Sequence, residues 1–236
     1  GRTVVCREVS AAQLEGLDLV LASAGATASR EWSPRFAAAG AVVVDNSSAF
    51  RREPECPLVI PEVNPHHLTP ESRIIAVPNC STIQMIAALA PLHRAWRLAG
   101  IRVATYQSAS GAGAAGMQEL LEGTRSALAG GVAPAHKFAR PLAFNVVPQI
   151  GTFETDGESQ EEAKMRHETR RILDLPDLPV SATCVRVPVL RGHSEAVWAT
   201  FAKTPQAGEA ETLMEAAGIR VARGNAYPCP TEADGQ

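Results

Sequence analysis

Cys80 is the residue of this sequence whose surroundings best suit a nucleophile. It follows a short apolar run and a Pro-Asn pair, and it precedes residues 81–96, whose apolar side chains recur at helical spacing. Cys80 is therefore expected at or just before a helix N-terminus, where unpaired N–H groups and the helix dipole favour the thiolate. A thiolate attacks carbon, so the pattern predicts a catalytic cysteine. The alternative is a buried core cysteine.

Two residues late in the chain could take part in the same reaction. His193 follows a predicted strand over residues 180–189. Its imidazole has the ordinary pKa suited to taking a proton from a thiol or hemithioacetal and returning it, although a lone loop histidine is more often structural. Arg186 lies inside that apolar strand. Because a desolvated guanidinium needs a partner, a bound anion is the hypothesis for Arg186.

A charged helix predicted over residues 161–173 carries a pair of opposite charges. Glu161 and Lys164 are three residues apart, which places them on adjacent turns of one face. Most such pairs are solvent-exposed salt bridges of small energetic value. Spacing alone therefore favours an exposed pair over a functional one.

Three loops follow predicted strands, where the carboxyl ends of a parallel sheet bind ligands. Residues 23–27 are small enough to approach a ligand closely, although a plain tight turn is the alternative. Residues 45–52 carry Arg51 and Arg52, whose guanidinium groups suit phosphate or carboxylate, although solvated arginines are commoner. Residues 108–116 are glycine-rich without being a Walker sequence, which leaves close approach to a cofactor or substrate.

The pattern of elements predicts an α/β fold. Buried strands are expected at residues 4–6, 17–22 and 41–45, with a helix at residues 29–39 that ends at Gly40. Strand, helix and strand in this order favour a parallel sheet. Further strands are expected at residues 101–107 and 196–203, and further helices at residues 117–128 and 209–218.

Composition excludes several classes of protein. The chain has 236 residues, 45% of them hydrophobic, and a net charge of −3, so two domains are expected and no nucleic-acid partner. No apolar segment has the length of a membrane span and no signal peptide is recognisable, so a cytoplasmic protein is expected. Five widely spaced cysteines form no C-x-x-C pair, and His66 and His67 have no third ligand nearby in sequence. Neither disulfides nor a metal site is predicted.

With these residues in view, the sequence resembles the aspartate-β-semialdehyde dehydrogenase family over nearly its whole length. The matching stretches are SAG at 23–25, VDNSSAFR at 44–51, VIPEVN at 59–64, PNCST at 78–82, QSASGAG at 107–113, EEAKM at 161–165, RVPV at 186–189 and GHS at 192–194. Each stretch alone is modest evidence. Their order and spacing together are highly specific.

The resemblance implies catalytic roles for four residues. Cys80 would be the acyl-accepting nucleophile and His193 the acid/base. Gln107 would help to position the acyl group, and Asn79 would hydrogen-bond the intermediate. The implied reaction converts L-aspartyl 4-phosphate and NADPH into L-aspartate 4-semialdehyde, phosphate and NADP through a cysteine thioester. It would serve the biosynthesis of lysine through diaminopimelate, and of threonine and methionine.

Binding roles are implied in the same way. Arg186 and Glu161 would bind the carboxylate and amino ends of the substrate, and Arg51 and Lys164 would bind phosphate. NADP is the implied cofactor. The residues implied to bind it are Ser23, Ala24, Gly25, Ser47, Ser110 and Gly111.

The resemblance also implies the architecture. A Rossmann-type NADP-binding domain would span residues 1–78, and an α+β catalytic and dimerisation domain of the glyceraldehyde-3-phosphate-dehydrogenase-like type would span residues 79–236. The active site would lie between them, in a homodimer or homotetramer. Family members begin with a glycine-rich βαβ turn and end with a further strand and helix, and neither is recognisable. The Rossmann domain is therefore expected to be incomplete and the chain truncated at both ends.

Two other functions remain open at this point. N-acetyl-glutamyl-phosphate reductase similarly combines a cysteine, a histidine and NADP on a related fold, but its N-acylated substrate needs no acidic partner such as Glu161. A non-catalytic relative would keep the dimer surface without the chemistry. The joint presence of Cys80, Gln107, Arg186 and His193 argues against that possibility.

Overall fold

The computed structural model describes residue 3, residues 5–11 and residues 13–233. The chain divides into two compact units, Gly1–Pro78 and Asn79–Gln236. Each unit contains a three-stranded sheet, and helices alternate with the strands, which confirms the predicted α/β class. Among the described residues, every helix is too short or too polar to cross a membrane.

The first unit is built on a parallel sheet whose strands pair in sequence order. Its elements are β1 (Leu19–Ala22), α1 (Ala26–Ala38), β2 (Val42–Asp45) and β3 (Ile74–Ala76), with 3-10 helices at Val9–Ala11 and Pro65–His67. The central strand β2 buries Val43 completely. Helix α1 ends before Gly40, whose φ of 105° is readily adopted only by glycine. This is the predicted strand–helix–strand arrangement.

Two expectations for the start of the chain need correction. Residue 4 of the strand expected at residues 4–6 lies outside the described residues, and Val5 and Cys6 belong to no strand. Strand β1 is expected to be buried, yet Leu19 and Leu21 are 57% and 75% exposed. In the part of the chain that the structure describes, β1 pairs only with β2 and is an edge strand. Its alternate side chains therefore remain accessible to solvent.

The second unit has a mixed sheet that is buried on one face. Its strands are β4 (Leu98–Gln107), β5 (Val180–Arg186) and β6 (Ser194–Phe201), and its helices are α2 (Cys80–Trp96), α3 (Gly113–Leu128), α4 (Gln160–Ile172), α5 (Ala207–Ala216) and α6 (Pro230–Ala233), with a 3-10 helix at Ala109–Ala112. Strand β4 is central, parallel to β5 and antiparallel to β6. Along β4, Val103 and Thr105 are buried, whereas Arg102 and Tyr106 are exposed. Helices therefore cover one face of this sheet.

Helix α2 begins at Cys80 and continues through Pro91 to Trp96. A proline inside a helix removes one backbone donor and usually kinks or ends the helix. Here Pro91 is buried, and the Trp96 ring packs edge-on against Phe201 of β6 with 5.7 Å between ring centroids. Tertiary packing therefore carries the helix past its proline.

The strand register of the second unit joins residues that are far apart in sequence. Gln107, the last residue of β4, lies opposite Arg186, the last residue of β5. Tyr106 lies opposite Ser194, the first residue of β6, which directly follows His193. Gln107, Arg186 and His193 therefore come to the same end of this sheet.

Candidate functional site

The candidate site begins at the N-terminus of α2. Asn79 caps this helix, since its Oδ1 accepts a hydrogen bond from the backbone N–H of Ser81 at 3.0 Å. Cys80 is the first residue of the helix, and its side chain is exposed. The N–H groups and the dipole at this end favour a thiolate. Cys80 is thus an accessible thiol in the environment that the sequence predicts for it.

Two carboxylates of α4 hold Asn79. Oε1 of Glu161 accepts a hydrogen bond from Nδ2 of Asn79 at 2.8 Å, and Oε2 of Glu168 accepts one from the Asn79 backbone N–H at 2.5 Å. Both glutamates are 4% exposed. They lie seven residues apart, which places them on one face of the helix. The residue before Cys80 is therefore fixed at both its side chain and its backbone.

Glu161 is also the centre of a buried polar cluster. Its Oε2 accepts a hydrogen bond from Nζ of Lys164 at 3.0 Å, and the side chain of Gln107 hydrogen-bonds it as well. Burial alone raises the pKa of Glu161, but the charge of Lys164 and the hydrogen bonds from Asn79, Lys164 and Gln107 together hold that pKa below its ordinary value. Glu161 is therefore ionised at neutral pH.

The exposed salt bridge favoured by the sequence spacing is wrong for this pair. The side chain of Lys164 is 30% exposed, but that of Glu161 is only 6% exposed. The contacts with Asn79 and Gln107 remove the Glu161 carboxylate from solvent, and spacing within α4 carries no information about them. The pair is a partly buried one.

Ser108 links Arg186 to His193. The backbone carbonyl of Ser108 accepts a hydrogen bond from Nη1 of Arg186 at 2.7 Å. The backbone N–H of Ser108 donates to Nδ1 of His193 at 3.1 Å, and Oγ of Ser108 lies 3.1 Å from the same nitrogen. The backbone N–H of Ser108 therefore favours the tautomer in which Nδ1 is unprotonated, whereas Oγ can either donate to Nδ1 or accept a proton from it. The ring has a partner in either tautomer.

Electrostatics join these residues to Cys80. Burial lowers the pKa of Arg186, which is 6% exposed, while the charges of Glu161 and then Cys80 raise it. Burial also lowers the pKa of His193, and the positive charge of Arg186 lowers it further, against an opposing contribution from Glu161. Arg186 is thus within electrostatic reach of the thiol, the carboxylate and the imidazole.

Gly111 lies against both Arg186 and His193. A Cβ at residue 111 would be 2.8 Å from Nη1 of Arg186, 3.2 Å from Cε1 of His193 and 3.3 Å from Nε2 of His193. Oγ of the neighbouring Ser110 lies 2.9 Å from Oγ of Ser108. The structure therefore brings Ser110 and Gly111, both predicted to bind cofactor, beside the predicted acid/base.

The remaining predicted residues lie in the first unit. The loop of Ser23, Ala24 and Gly25 follows β1, and Ser47 follows β2, so both loops lie at the carboxyl ends of adjacent parallel strands. Nδ2 of Asn46 donates to Oγ of Ser23 at 3.4 Å across these loops.

Arg51, predicted to bind phosphate, also lies in this unit. Its Nε donates to the carbonyl of Val77 at 2.8 Å and its Nη2 to the carbonyl of Asn46 at 3.1 Å. Arg51 therefore ties the backbone that follows β3 to the backbone that follows β2.

Two contact residues escaped prediction. The sequence could have indicated Glu168, because its spacing of seven from Glu161 puts both glutamates on one helix face. Nothing in the sequence of α4 identifies Asn79 as their partner. Ser108 acts chiefly through its backbone, so its side-chain type gives little indication.

Cys184 shows the opposite environment to that of Cys80. It is fully buried in β5, with Sγ 3.6 Å from Sδ of Met165. Burial raises the pKa of this thiol to about 12. Cys184 is therefore a protonated core residue at neutral pH.

Two family models match the chain. Residues 1–70 match the semialdehyde dehydrogenase NAD binding domain, and residues 89–236 match the semialdehyde dehydrogenase dimerisation domain. The two matches together account for most of the sequence.

Individual proteins are similar over most or all of the chain. The aspartate-semialdehyde dehydrogenase of Synechocystis sp. is 45% identical over 240 residues, which takes in 100% of this chain and 71% of that protein. The crystal structure of aspartate semialdehyde dehydrogenase II complexed with ASA from Vibrio cholerae superposes with a TM-score of 0.94 at 42% identity, covering 97% of this chain and 69% of that one. Aspartate semialdehyde dehydrogenase with NADP from Candida albicans gives a TM-score of 0.63 at 27% identity, covering 83% and 54%.

Proposed function

This chain belongs to the aspartate-semialdehyde dehydrogenase family, and on that premise we propose that it interconverts L-aspartate 4-semialdehyde and L-aspartyl 4-phosphate with NADP. Membership makes the chain an oxidoreductase that acts on an aldehyde. The proposed physiological direction is the reductive one, in the biosynthesis of lysine, threonine and methionine. The second unit is proposed to carry catalysis and dimerisation, and the first to bind the dinucleotide.

Cys80 is the proposed nucleophile. In the oxidative direction its thiolate attacks the aldehyde carbon and forms a hemithioacetal, and loss of hydride and of the hydroxyl proton leaves a thioester. Phosphate then attacks the thioester carbonyl, and the thiolate leaves as aspartyl phosphate forms. A thiolate suits this sequence because a thioester exchanges with phosphate more readily than an ordinary ester does. The helix N-terminus and the fixed Asn79 favour the ionised, correctly placed sulfur.

His193 is the proposed acid/base for the hydroxyl proton of the hemithioacetal. To take this proton at Nε2, the ring has to adopt the tautomer that donates Nδ1–H to Oγ of Ser108, and it gives up the bond from the Ser108 backbone N–H. Its lowered pKa keeps the ring neutral near pH 7, as a base requires. Gln107 and Asn79 are proposed to hydrogen-bond the acyl group and the intermediate.

Arg186 and Glu161 are the proposed recognition pair for the two charged ends of the substrate. Arg186 offers a guanidinium fork to the α-carboxylate, and Glu161 offers a carboxylate to the α-amino group. Both side chains are buried, and the charge of Glu161 acts on Arg186. This pair of opposite buried charges beside Cys80 is the observation that carries the proposal, since a free amino acid aldehyde needs both. Lys164 and Arg51 are proposed to bind phosphate.

The loops after β1 and β2 fit the proposed cofactor. Gly25 has a φ of 93° and open space where a Cβ would lie, so the chain can approach a phosphate closely at the start of α1. Oγ of Ser29, in the first turn of α1, is buried without a hydrogen-bond partner among the described residues. Ser23, Ala24, Gly25 and Ser47 are the proposed ligands here, with Ser110 and Gly111 in the second unit. When bound, NADP supplies or accepts the hydride.

The proposed assembly is a homodimer, with a homotetramer as the larger alternative. The exposed face of the second sheet carries Tyr106 at 45% and Trp198 at 63% exposure, in the region that matches the dimerisation domain. Light scattering on a size-exclusion column measures the molar mass of the assembly. Trp198→Lys should shift this mass towards that of the monomer, because it places a charge on the proposed interface. A cytoplasmic location belongs to the same proposal, because five widely spaced cysteines suit a reducing compartment.

The test of the activity is phosphate-dependent reduction of NADP by the full-length protein with aspartate semialdehyde. We expect turnover in the wild type and a loss of at least about 10³-fold in Cys80→Ser, because the serine ester would be a poor intermediate. Cys184→Ala is the matched control, since that thiol is buried and protonated, and it should keep the activity. Substantial turnover by Cys80→Ser, or turnover without phosphate at the same rate, would contradict the assignment.

A further inference from the structure

One buried carboxylate holds the segment that follows α3. Glu119 is 8% exposed and accepts hydrogen bonds from three consecutive backbone N–H groups, those of His136 at 2.8 Å, Lys137 at 2.7 Å and Phe138 at 3.2 Å. Burial alone raises the pKa of Glu119, but these three bonds hold that pKa below its ordinary value. The carboxylate is ionised, and its bonds to the backbone are charge-assisted. Residues 136–138 are therefore fixed in one conformation.

The fixed segment places Phe138 over Arg186. The Phe138 ring centroid lies 5.8 Å from the guanidinium carbon, and the ring is 9% exposed. It packs in a small apolar cluster with Ala109, Leu120, Leu142 and Val147. A cation–π contact stabilises the cation without using its N–H donors. Phe138 thus covers one face of the Arg186 guanidinium and leaves its edge available for an anion.

A residue further along the chain holds the backbone of Arg186. The N–H of Val147 donates to the carbonyl of Arg186 at 2.9 Å, and the N–H of Arg186 donates to the carbonyl of Val147 at 2.9 Å. Residues 136–147 therefore contact Arg186 at its main chain and at its guanidinium.

We propose that Glu119 is a positioning residue for substrate recognition, which sets through residues 136–138 and Phe138 how Arg186 meets the carboxylate of the substrate. The inference rests on the proposed function, in which Arg186 binds that carboxylate. Glu119 itself touches neither substrate nor reacting atoms. Its loss should therefore weaken the binding of the carboxylate-bearing substrate and spare the steps that involve phosphate and NADP.

The experiment is steady-state kinetics on full-length variants, with the KM measured separately for aspartate semialdehyde, phosphate and NADP. Glu119→Gln removes the charge that strengthens the three backbone bonds, and Phe138→Leu keeps an apolar side chain without a π face. We expect each to raise the KM for aspartate semialdehyde about tenfold and to change kcat and the other two KM values by less than about twofold. The double variant should resemble the single ones, because both changes act through one segment.

The matched control is Glu122→Gln on the same helix. Its exposed carboxylate accepts a hydrogen bond at 2.6 Å from Nε2 of Gln118, a residue of α3 itself and not of the segment 136–138, so the variant should match the wild type. A folded Glu119→Gln variant with a wild-type KM for the aldehyde, or with all three KM values raised alike, overturns the proposal. If Glu119→Gln fails to fold by circular dichroism, Phe138→Leu decides by the same criteria. Absence of turnover in the wild type overturns the proposed function and this inference together, whereas an active wild type with unaltered variants overturns the inference alone.

Discussion

The side-chain nitrogen of Asn79 donates to the carboxylate of Glu161 at 2.8 Å, across 82 residues of sequence. This bond joins the residue before the proposed nucleophile to the residue proposed to recognise the substrate. Because Glu161 also contacts Lys164 and Gln107, one buried carboxylate organises three other proposed site residues. Changes at Glu161 therefore act on recognition and on the position of Cys80, and variants can separate the two effects.

Glu161→Gln keeps an acceptor for Asn79 and removes the charge. We expect kcat/KM for aspartate semialdehyde to fall about 10²-fold, since a buried charge loses its partner. Alkylation of Cys80 by iodoacetamide should stay within about threefold of the wild-type rate, because the hydrogen bond to Asn79 survives. The wild-type preference for the free amino aldehyde over its N-acetylated form should also collapse. A variant that keeps this preference would count against the role of Glu161 and reopen the N-acylated substrate as an alternative.

Gly111→Ala tests the close approach of the 108–113 loop to the two basic residues. The new methyl would lie 2.8 Å from Arg186 and 3.2 Å from His193, so both side chains must move. We expect kcat/KM to fall about 10-fold, because the two side chains must shift by a few tenths of an ångström and a misplacement of about 1 Å costs about 100-fold. Gly208→Ala in α5 is the matched control, since nothing lies within 4 Å of a Cβ there. Equal activity of the two variants would show that the loop has room to adjust.

The titration of His193 gives a pH prediction. Burial and then the charge of Arg186 hold its pKa below its ordinary value, against Glu161. As the pH falls below about 6.5, His193 becomes protonated in the unfolded chain before it does in the folded one. Protonation therefore favours the unfolded state, and the free energy of unfolding should decrease below about pH 6.5. The acid limb of kcat/KM should likewise lie below about pH 6.5.

Arg186→Met isolates the electrostatic cause of that shift. Removal of the positive charge should raise the pKa of His193, which an NMR titration of the imidazole measures directly. Arg125→Met, at an exposed position of α3, should leave it unchanged. A His193 pKa that is the same in Arg186→Met and in the wild type would leave burial as the sole cause.

Glu195 of β6 makes stability depend on pH in the opposite sense. Its Oε1 is buried and has no hydrogen-bond partner among the described residues, and burial raises the pKa of Glu195 to about 8 against a hydrogen bond from Gln84. The unfolded chain releases this proton near pH 4.3, so stability should decline from about pH 4.3 to about pH 8 and level off above.

Glu195→Gln removes this titration. The variant should match the wild type at pH 4 and exceed its free energy of unfolding by roughly 1–3 kcal/mol at pH 8. Urea unfolding at a series of pH values measures the difference. Glu209→Gln, at an exposed position of α5, should give no such trend. A stability difference that does not vary with pH would disprove the raised pKa.

Local patterns predicted the elements of this fold well. The periodicity of residues 81–96 and 161–173 is a property of a few turns of chain, and α2 and α4 agree with it to within one residue. The position of Cys80 at a helix start follows from the same local signal. The exposure of β1 could not be predicted in this way, because burial of an apolar strand depends on which elements pack on it and not on its own sequence.

Contacts within the candidate site lay beyond such patterns. Glu161 is buried because α4 packs against the start of α2. His193 contacts Ser108 because of the register between β4 and β6. The resemblance to a family named the candidate site residues without giving their contact partners. The roles of Glu168, Ser108, Glu119 and Phe138 emerged only from the structure, because three of them depend on hydrogen bonds of backbone N–H groups and the fourth on an aromatic ring beside a cation.

The register that joins the ends of β4, β5 and β6 has a consequence for folding. The bonds from Asn79 to Glu161 and from Ser108 to His193 close loops of 82 and 85 residues, so none of them can form in a short piece of the chain. A peptide that contains α2 alone would carry Cys80 without its surroundings. During refolding, the return of native Cys80 reactivity would therefore mark the docking of α4 against the start of α2, later than the formation of the two helices themselves.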